Sequence, residues 1–344
     1  MPKAQIINPI NYPGWDDLLA TNPESTFFHS AAWAETLSKS YNYKPLYFTR
    51  IDNNKLTGLI AVMEVSSILT GKRGVSLPFT DQCEPLAADN GHFNELLASV
   101  LEHGKKSGWQ YLQLRGGAQY LKDKAPSETF FNHELNLNAS EDEIFSNFRS
   151  STRRNIKKAQ KQDVAIEKLY SLEAVKTFYR LNCMTRRDHG LPPQPYIFFK
   201  NLYDYVISRK KGCILLAVHQ GKTIAGAVYL RNSLKAIYKY GASDKKYQYL
   251  RANNLVMGEA IKGCAADGLK TFDFGRTEPE HAGLLQFKRG WGAKEKKAHY
   301  FHYDFKENGF IKKTANVKSS YTVFNKLPIF VLKLIGRLAY RHVT

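Results

Sequence analysis

The chain has 344 residues, 43% of them hydrophobic with 20 Tyr and 20 Phe, which supplies apolar area for two cores of ordinary size and excludes a disordered or fibrous protein. Its 50 Lys and Arg against 31 Asp and Glu leave a formal charge of +19, which favours polyanionic partners such as nucleic acid, nucleotide-linked substrates or an anionic membrane face. Cys83, Cys183, Cys213 and Cys264 form no CxxC pair and no histidine cluster joins them, so buried reduced thiols are expected and no metal site. In "HYFH", His299 and His302 point to opposite faces of a strand. No run reaches the ~20 apolar residues of a membrane span. The N-terminal stretch lacks the pattern of a signal peptide, so a cytoplasmic chain is expected.

In chain order, "LYFTRIDNN" turns back into "KLTGLIAVMEV" as a strand pair, "GVSLPF" reads as a third strand, "HFNELLASVLEHGKKSG" as a helix stopped by Gly108, and "WQYLQLRGG" as a fourth strand. "NLNASEDEIF" follows as a boundary. "FRSSTRRNIKKAQKQ" is a predicted helix holding Arg149, Arg153, Arg154, Lys157, Lys158 and Lys161 without one acid, either a solvated face or a polyanion contact. "TRRDHGLPPQP" reads as a proline-rich loop in which Arg186, Arg187 and His189 are candidates for gripping substrate, with a structural role for the histidine as the alternative.

The order then repeats. "CILLAVHQ", a turn at Gly221 and Lys222, and "TIAGAVYLR" form a hairpin. "LKAIYKYGAS" is a strand, "NNLVMGEAIKGCAADG" a helix capped by Asn253 or Asn254 and stopped by Gly268, and "KTFDFG" a strand. Gly58 answers Gly226 and Gly108 answers Gly268, at offsets of 168 and 160 residues, so an α/β unit is written twice. The expected division is 1–138, 139–310 and a basic tail, 311–344.

In "KTFDFGRTEPEHAGLLQFKRGWG", Phe272 and Phe274 alternate with Asp273, whose carboxylate faces away from the rings and either acts on an amine or pairs with Arg276. "FKRGWG" reads as a glycine-bounded hook presenting Lys288, a candidate oxyanion donor or a plain surface lysine, with Trp291 in the core. Hairpin, strand, helix and strand is the core order of GNAT-type N-acyltransferases. Duplicated, with "RRNIKKA" between the halves and "DFG" and "FKRGWG" near the end, it resembles the FemAB-like aminoacyltransferases, which build peptidoglycan cross-bridges, and their envelope and exopolysaccharide relatives.

The resemblance implies an α/β (α+β) fold of two tandem GNAT-like domains, and transfer of an acyl or aminoacyl group to an amine of a nucleotide- or lipid-linked envelope precursor. No cofactor is tightly bound on this reading; the donor is acyl-CoA or aminoacyl-tRNA. It puts Phe287 and Lys288 on the family's Phe-Lys pair, with Lys288 acting on the reacting carbonyl or on a substrate phosphate. It also sets Asp81 and Gln82 of "SLPFTDQCEPL" on the acceptor side, where Asx-turn and loop-capping roles compete. The loop "KKYQYLRANN" stands where GNAT enzymes carry a glycine-bearing pyrophosphate loop, but it has no glycine, which weakens the coenzyme A reading and leaves Arg251 as a phosphate contact. Asp273 and Lys288 are therefore the catalytic candidates, and Phe287, Arg276, Arg251, Arg186, Arg187, His189, Asp81, Gln82, Arg153 and Arg154 the substrate-binding ones.

Residues 311–344 hold seven Lys or Arg and no acid. From Pro328 they read as an amphipathic helix with Lys333, Arg337 and Arg341 on one stripe, suited either to an anionic membrane surface or to packing on its own domain. The competing readings are an inactive GNAT-like module binding RNA or nucleotide-linked polyanions, and a membrane-attached envelope assembly protein.

Overall fold

The computed structural model describes residues 4–232, 234–312 and 322–343; positions 313–321 of the basic tail lie outside the described residues. In chain order the first elements are β1 (Gln5–Ile7), α1 (Trp15–Ala20), α2 (Ala31–Tyr41), β2 (Lys44–Asp52), β3 (Lys55–Ser67), β4 (Gly71–Val75), β5 (Leu86–Ala87), α3 (Asn90–Ser107), β6 (Tyr111–Leu114) and β7 (Glu128–Asn136). Then come α4 (Glu141–Ser146), α5 (Ser150–Lys161), β8 (Ala165–Leu169), α6 (Leu172–Asp188), α7 (Tyr196–Leu202), β9 (Gly212–His219), β10 (Lys222–Arg231), β11 (Lys235–Ser243), α8 (Ala252–Ala266), β12 (Thr271–Thr277) and α9 (Ala282–Arg289). The last are β13 (Lys294–Asp304), β14 (Gly309–Ile311) and α10 (Ile329–Ala339). Two compact units result, one of Met1–Phe130, Lys297–Lys318 and Ala339–Thr344, the other of Phe131–Lys296 and Ser319–Leu338.

In the first unit the sheet order is β1, β2, β3, β4, β6, β13, with β4 and β6 parallel and the other neighbours antiparallel. In the second it is β8, β9, β10, β11, β12, β7, with β11 and β12 parallel and the rest antiparallel. Each unit thus has four antiparallel strands, a helix crossing over to a fifth, parallel strand, and a sixth antiparallel strand beside it. The crossover helix is α3 in one and α8 in the other. A parallel neighbour cannot be reached by a hairpin, so the connection has to be a crossover, and a helix can cover the sheet on the way. The sixth strand reaches each unit from far along the chain: residues 301–304 of β13 pair with β6, and residues 131–136 of β7 pair with β12.

The hairpin turns follow their sequences. Asn53 and Asn54 have φ 50° and 59°, and Gln220 and Gly221 have φ 49° and 71°, the pairs of positive values that a two-residue type I′ turn requires. Leu46, Phe48, Ile60, Val62, Phe93, Leu96 and Trp109 bury against one another in the first unit. Phe148, Ala225, Leu255, Phe272, Phe274 and Trp291 do so in the second. Trp291 is a core residue, as its sequence setting suggested.

Five local expectations are corrected. The strand read into "GVSLPF" stops at Val75, because Leu77 and Phe79 adopt φ of 58° and 59°, a conformation that ends a strand and that bulky residues rarely take. The N-cap of α8 is Arg251, at φ 60°, rather than Asn253 or Asn254. "FKR" forms the last turn of helix α9 instead of a hook. Arg186 and Arg187 belong to the last turn of α6, and only the chain after the cap His189 is loop. At the tail, α10 ends at Ala339, so Arg341 lies beyond the helical stripe.

Gly74 of β4 lies so close beneath the Trp109 ring that a Cβ there would overlap the indole, whereas a Cβ on Gly263 of α8 would meet nothing within 4 Å. Gly74→Ala is therefore expected to lower the chemical-denaturation midpoint by the equivalent of ~1–3 kcal/mol, the usual penalty for overpacking. Gly263→Ala is expected to raise it by about 0.5–1 kcal/mol through helix propensity. Equal midpoints for the two variants would contradict this packing.

Candidate active site

The second unit has a splayed pair of parallel strands. β11 pairs with β12 only across Lys235–Ile237 and Thr271–Asp273, while its other edge stays paired with β10 as far as Ser243. On its far side β12 breaks register with β7 between Asp273 and Arg276. The break falls at Gly275, whose φ of 70° suits a bulge, and the Asp273 carboxylate accepts the Gly275 N–H at 2.7 Å. Asn132 of β7 donates its Nδ2 to the same carboxylate at 3.1 Å.

Lys288 closes the bulge. It is only 2% exposed, and its Nζ donates to the carbonyls of Gly275 at 2.6 Å and Arg276 at 3.2 Å. The solvated-surface alternative for this lysine is thereby overturned. Phe287, one position earlier on α9, turns the other way and lines a cavity of about 310 Å³. Behind the lysine, buried His133 of β7 shares a hydrogen bond of 3.0 Å with Glu295, which also holds Arg289 through contacts of 2.7 and 2.9 Å. Burial, and next the charge of Lys288, hold the His133 imidazole below its usual pKa, and its Nδ1 has no hydrogen-bond partner.

Two helices start at the cavity. Its wall includes Arg149, Ser151 and Thr152 at the head of α5, Arg251, Ala252 and Asn253 at the head of α8, and Ser243 and Asp244 at the end of β11. No side chain caps either helix, and among the described residues the guanidinium groups of Arg149 and Arg251 have no acid or hydrogen-bond partner. Helix N–H groups, two helix dipoles and two cations converge on one volume, an arrangement whose electrostatics favour an anion. Along α5, Arg153, Arg154, Lys157, Lys158 and Lys161 line a separate open groove of about 530 Å³ with Phe145, and among the described residues none of the five forms an ion pair.

Comparison with known proteins bears on this arrangement. Residues 146–289 match the acetyltransferase (GNAT) domain family. The structure of FemX superposes with a TM-score of 0.73 at 17% identity, covering 89% of this chain and 98% of that one. The chain has a FemAB-like GNAT fold. A tandem GNAT protein of the clavulanic acid biosynthesis pathway superposes at 0.54 with 9% identity, over 88% of this chain and 98% of its own, in keeping with two GNAT-like domains. In sequence, the lipid II:glycine glycyltransferase of Staphylococcus haemolyticus is 39% identical over 85 residues. That match covers 23% of this chain and only 20% of the relative's length.

The sequence candidates fall into separate groups on this FemAB-like scaffold. Asp273, Arg276 and Lys288 meet at the bulge, and Arg251 and Phe287 line the anion cavity. Arg153 and Arg154 lie in the basic groove. Arg186 donates to the Pro192 carbonyl at 3.4 Å, Arg187 lies 3.9 Å from Asp188, and His189 caps α6. Asp81 and Gln82 belong to the first unit, where the Asp81 carbonyl accepts from Tyr300 and Gln82 donates to Glu84, a carboxyl whose pKa burial raises. Asn132, His133 and Glu295 escaped sequence reading, because they reach the bulge on β7 and β13 and share no local motif with it.

The His133 shift has a pH consequence. A histidine held below its ordinary pKa leaves the unfolded state binding more protons, so its contribution is complete above the unfolded value of about 6.5 and is lost as the pH falls below it. Thermal melts from about pH 7.5 to 5.5 are expected to show a falling Tm, and His133→Gln should flatten part of that slope. An unchanged slope would mean that His133 takes up its proton without strain.

Proposed function

We propose that the chain is an N-acyltransferase that moves an aminoacyl group from aminoacyl-tRNA to an amine of a cell-envelope precursor. A lipid-linked peptidoglycan precursor is the acceptor class, by likeness to the lipid II:glycine glycyltransferases. The observation that carries the reading is the cavity walled by Arg149 and Arg251, which have no acid partner among the described residues, and by Phe287, the neighbour in sequence of the buried Lys288 that holds the β12 bulge. On this reading the cavity receives the phosphate end of the donor and the bulge faces the reacting carbonyl. The amine nitrogen forms the new C–N bond, the ester C–O bond breaks with the ribose hydroxyl oxygen of the tRNA as leaving group, and the amine proton passes to Asp273, which accepts hydrogen bonds from Gly275 and Asn132, and from there to that oxygen. Lys288 supplies positive charge where the oxyanion develops, in a place too dry for water to do so. The reaction so read is cytoplasmic.

The α5 groove supports tRNA as the donor, since its five cations, without an ion pair among the described residues, suit a nucleic-acid backbone. Acyl-CoA is the second reading, because the start of α8 suits a pyrophosphate equally well. Incubation with lipid-linked and nucleotide-linked precursors, offering each donor in parallel and reading the added mass, decides between them. With aminoacyl-tRNA, the triple variant Lys157→Glu, Lys158→Glu, Lys161→Glu is expected to raise KM by about tenfold or more and to flatten its salt dependence. Transfer from acyl-CoA alone would overturn the tRNA reading, and transfer from neither would overturn the enzyme reading.

Lys288→Met removes a donor from the reacting centre, and kcat is expected to fall on the order of 10²-fold with KM little changed. Because the lysine also holds the bulge, a melt of the same variant separates lost folding from lost chemistry. Normal kcat with a greatly raised KM would recast Lys288 as a phosphate-binding residue.

A further inference from the structure

Helix α10 is half embedded. Leu332 is fully buried, and Gly336 lies so close to the Pro193 carbonyl that a Cβ would overlap it, which fixes the inner face of the helix on its own unit. The outer face is apolar and uncovered: Phe330, Leu334 and Leu338, spaced four apart, are 74%, 57% and 60% exposed. Lys333 and Arg337 run along the edge of that stripe, both exposed, with the Lys333 ammonium 5.3 Å from the centre of the Tyr179 ring. Large apolar residues aligned on a docked helix beside a row of cations have no role in its packing, and they fit a surface with an apolar interior and an anionic skin.

The first unit carries a second patch of the same chemistry. The tip of the β3–β4 hairpin exposes Ile68 at 96% and Leu69 at 76%. Arg73 and Thr70 donate to the His342 carbonyl, and Ser67 shares a hydrogen bond of 2.8 Å with the His342 ring. The chain end is thereby tied to the base of the hairpin, with exposed Val343 next to the anchored residue. The two patches belong to different units and are independent observations.

We propose that the outer face of α10 and the Ile68–Leu69 tip insert into the interface of an anionic lipid bilayer, a property separate from the transfer reaction. The charge supports this occupant over another protein: residues 311–344 contain seven cations and no acid. The test uses the full chain with phosphatidylcholine vesicles and with vesicles containing about 30% phosphatidylglycerol, near physiological salt. The chain is expected to sediment with the anionic vesicles, and a Trp at Phe330→Trp to shift its emission to the blue. Phe330→Ser, Leu334→Ser, Leu338→Ser leaves the charge untouched and is expected to weaken partitioning by about tenfold or more, and Ile68→Ser, Leu69→Ser to weaken it separately. These side chains are exposed, so unchanged melts are expected for both variants. Partitioning that is absent, or that ignores the Ser substitutions, overturns the proposal. So does a wild-type dimer that the α10 variant converts to a monomer, which would make a second copy of the chain the occupant.

Discussion

The second unit depends on one buried ammonium. An uncompensated charge in a protein interior costs several kcal/mol, so Lys288 can sit at 2% exposure only where strong acceptors surround it. It finds the Gly275 and Arg276 carbonyls, which the β12 bulge has freed from the ladder to β7. Each feature makes the other tolerable. Without the bulge the lysine would lack these acceptors, and without the lysine two carbonyls would lose their donor. Glycine is the residue that takes a φ of 70° at such a point without strain, and the Asp273 carboxylate accepts the N–H of that same Gly275. His133 stays neutral beside this charge, which spares the site a second buried cation.

The same bulge explains the cavity. Because β12 bends away after Asp273, β11 continues past Ile237 with one edge no longer paired to it, and the heads of α5 and α8 meet at its end. Arg149 is fixed there by its backbone: its N–H donates to the Gly290 carbonyl at 2.9 Å, tying the start of α5 to the end of α9. Gly290 is required at that contact, since a Cβ would come within 2.7 Å of Thr152 Oγ1. The helix carrying Phe287 and Lys288 is thus coupled to the helix whose N-terminus walls the cavity, and whatever fills the cavity bears on both.

Much of the scaffold was legible in the sequence because its signals are local. The two hairpin turns, Gly108 and Gly268 at positive φ after their helices, and the repeated strand order each follow from residues a few positions apart. What was not legible is non-local or strained. Nothing near residue 133 announces that β7 will flank β12, because that pairing joins segments some 140 residues apart and carries no side-chain code. Arg251, Leu77 and Phe79 adopt a conformation their side chains disfavour, so propensity points elsewhere and tertiary context decides. The Phe-Lys pair was found, but its helix was not, since "RGWG" after it reads as loop and only packing shows that Phe287 and Lys288 occupy adjacent faces of one turn.

The net charge of +19 resolves into cations with different work to do. Some are held by acids: Arg50 by Asp52 and Glu95, Arg231 and Lys168 by Asp267, Arg289 by Glu295. Others are locked on backbone carbonyls, as Lys288 is in one unit and Arg73 in the other. A third set, Arg149 and Arg251 at the cavity and the five along α5, has no acid partner among the described residues. Cations of the first kind, and Arg73 among the second, stabilise the fold and offer little to a ligand, because binding one would first break what they already hold. The third kind repel one another in the unliganded chain, and an anion that enters relieves that repulsion. The charge that no acid offsets is therefore concentrated at the cavity and along α5, which makes these two surfaces the most electropositive places to test for a ligand.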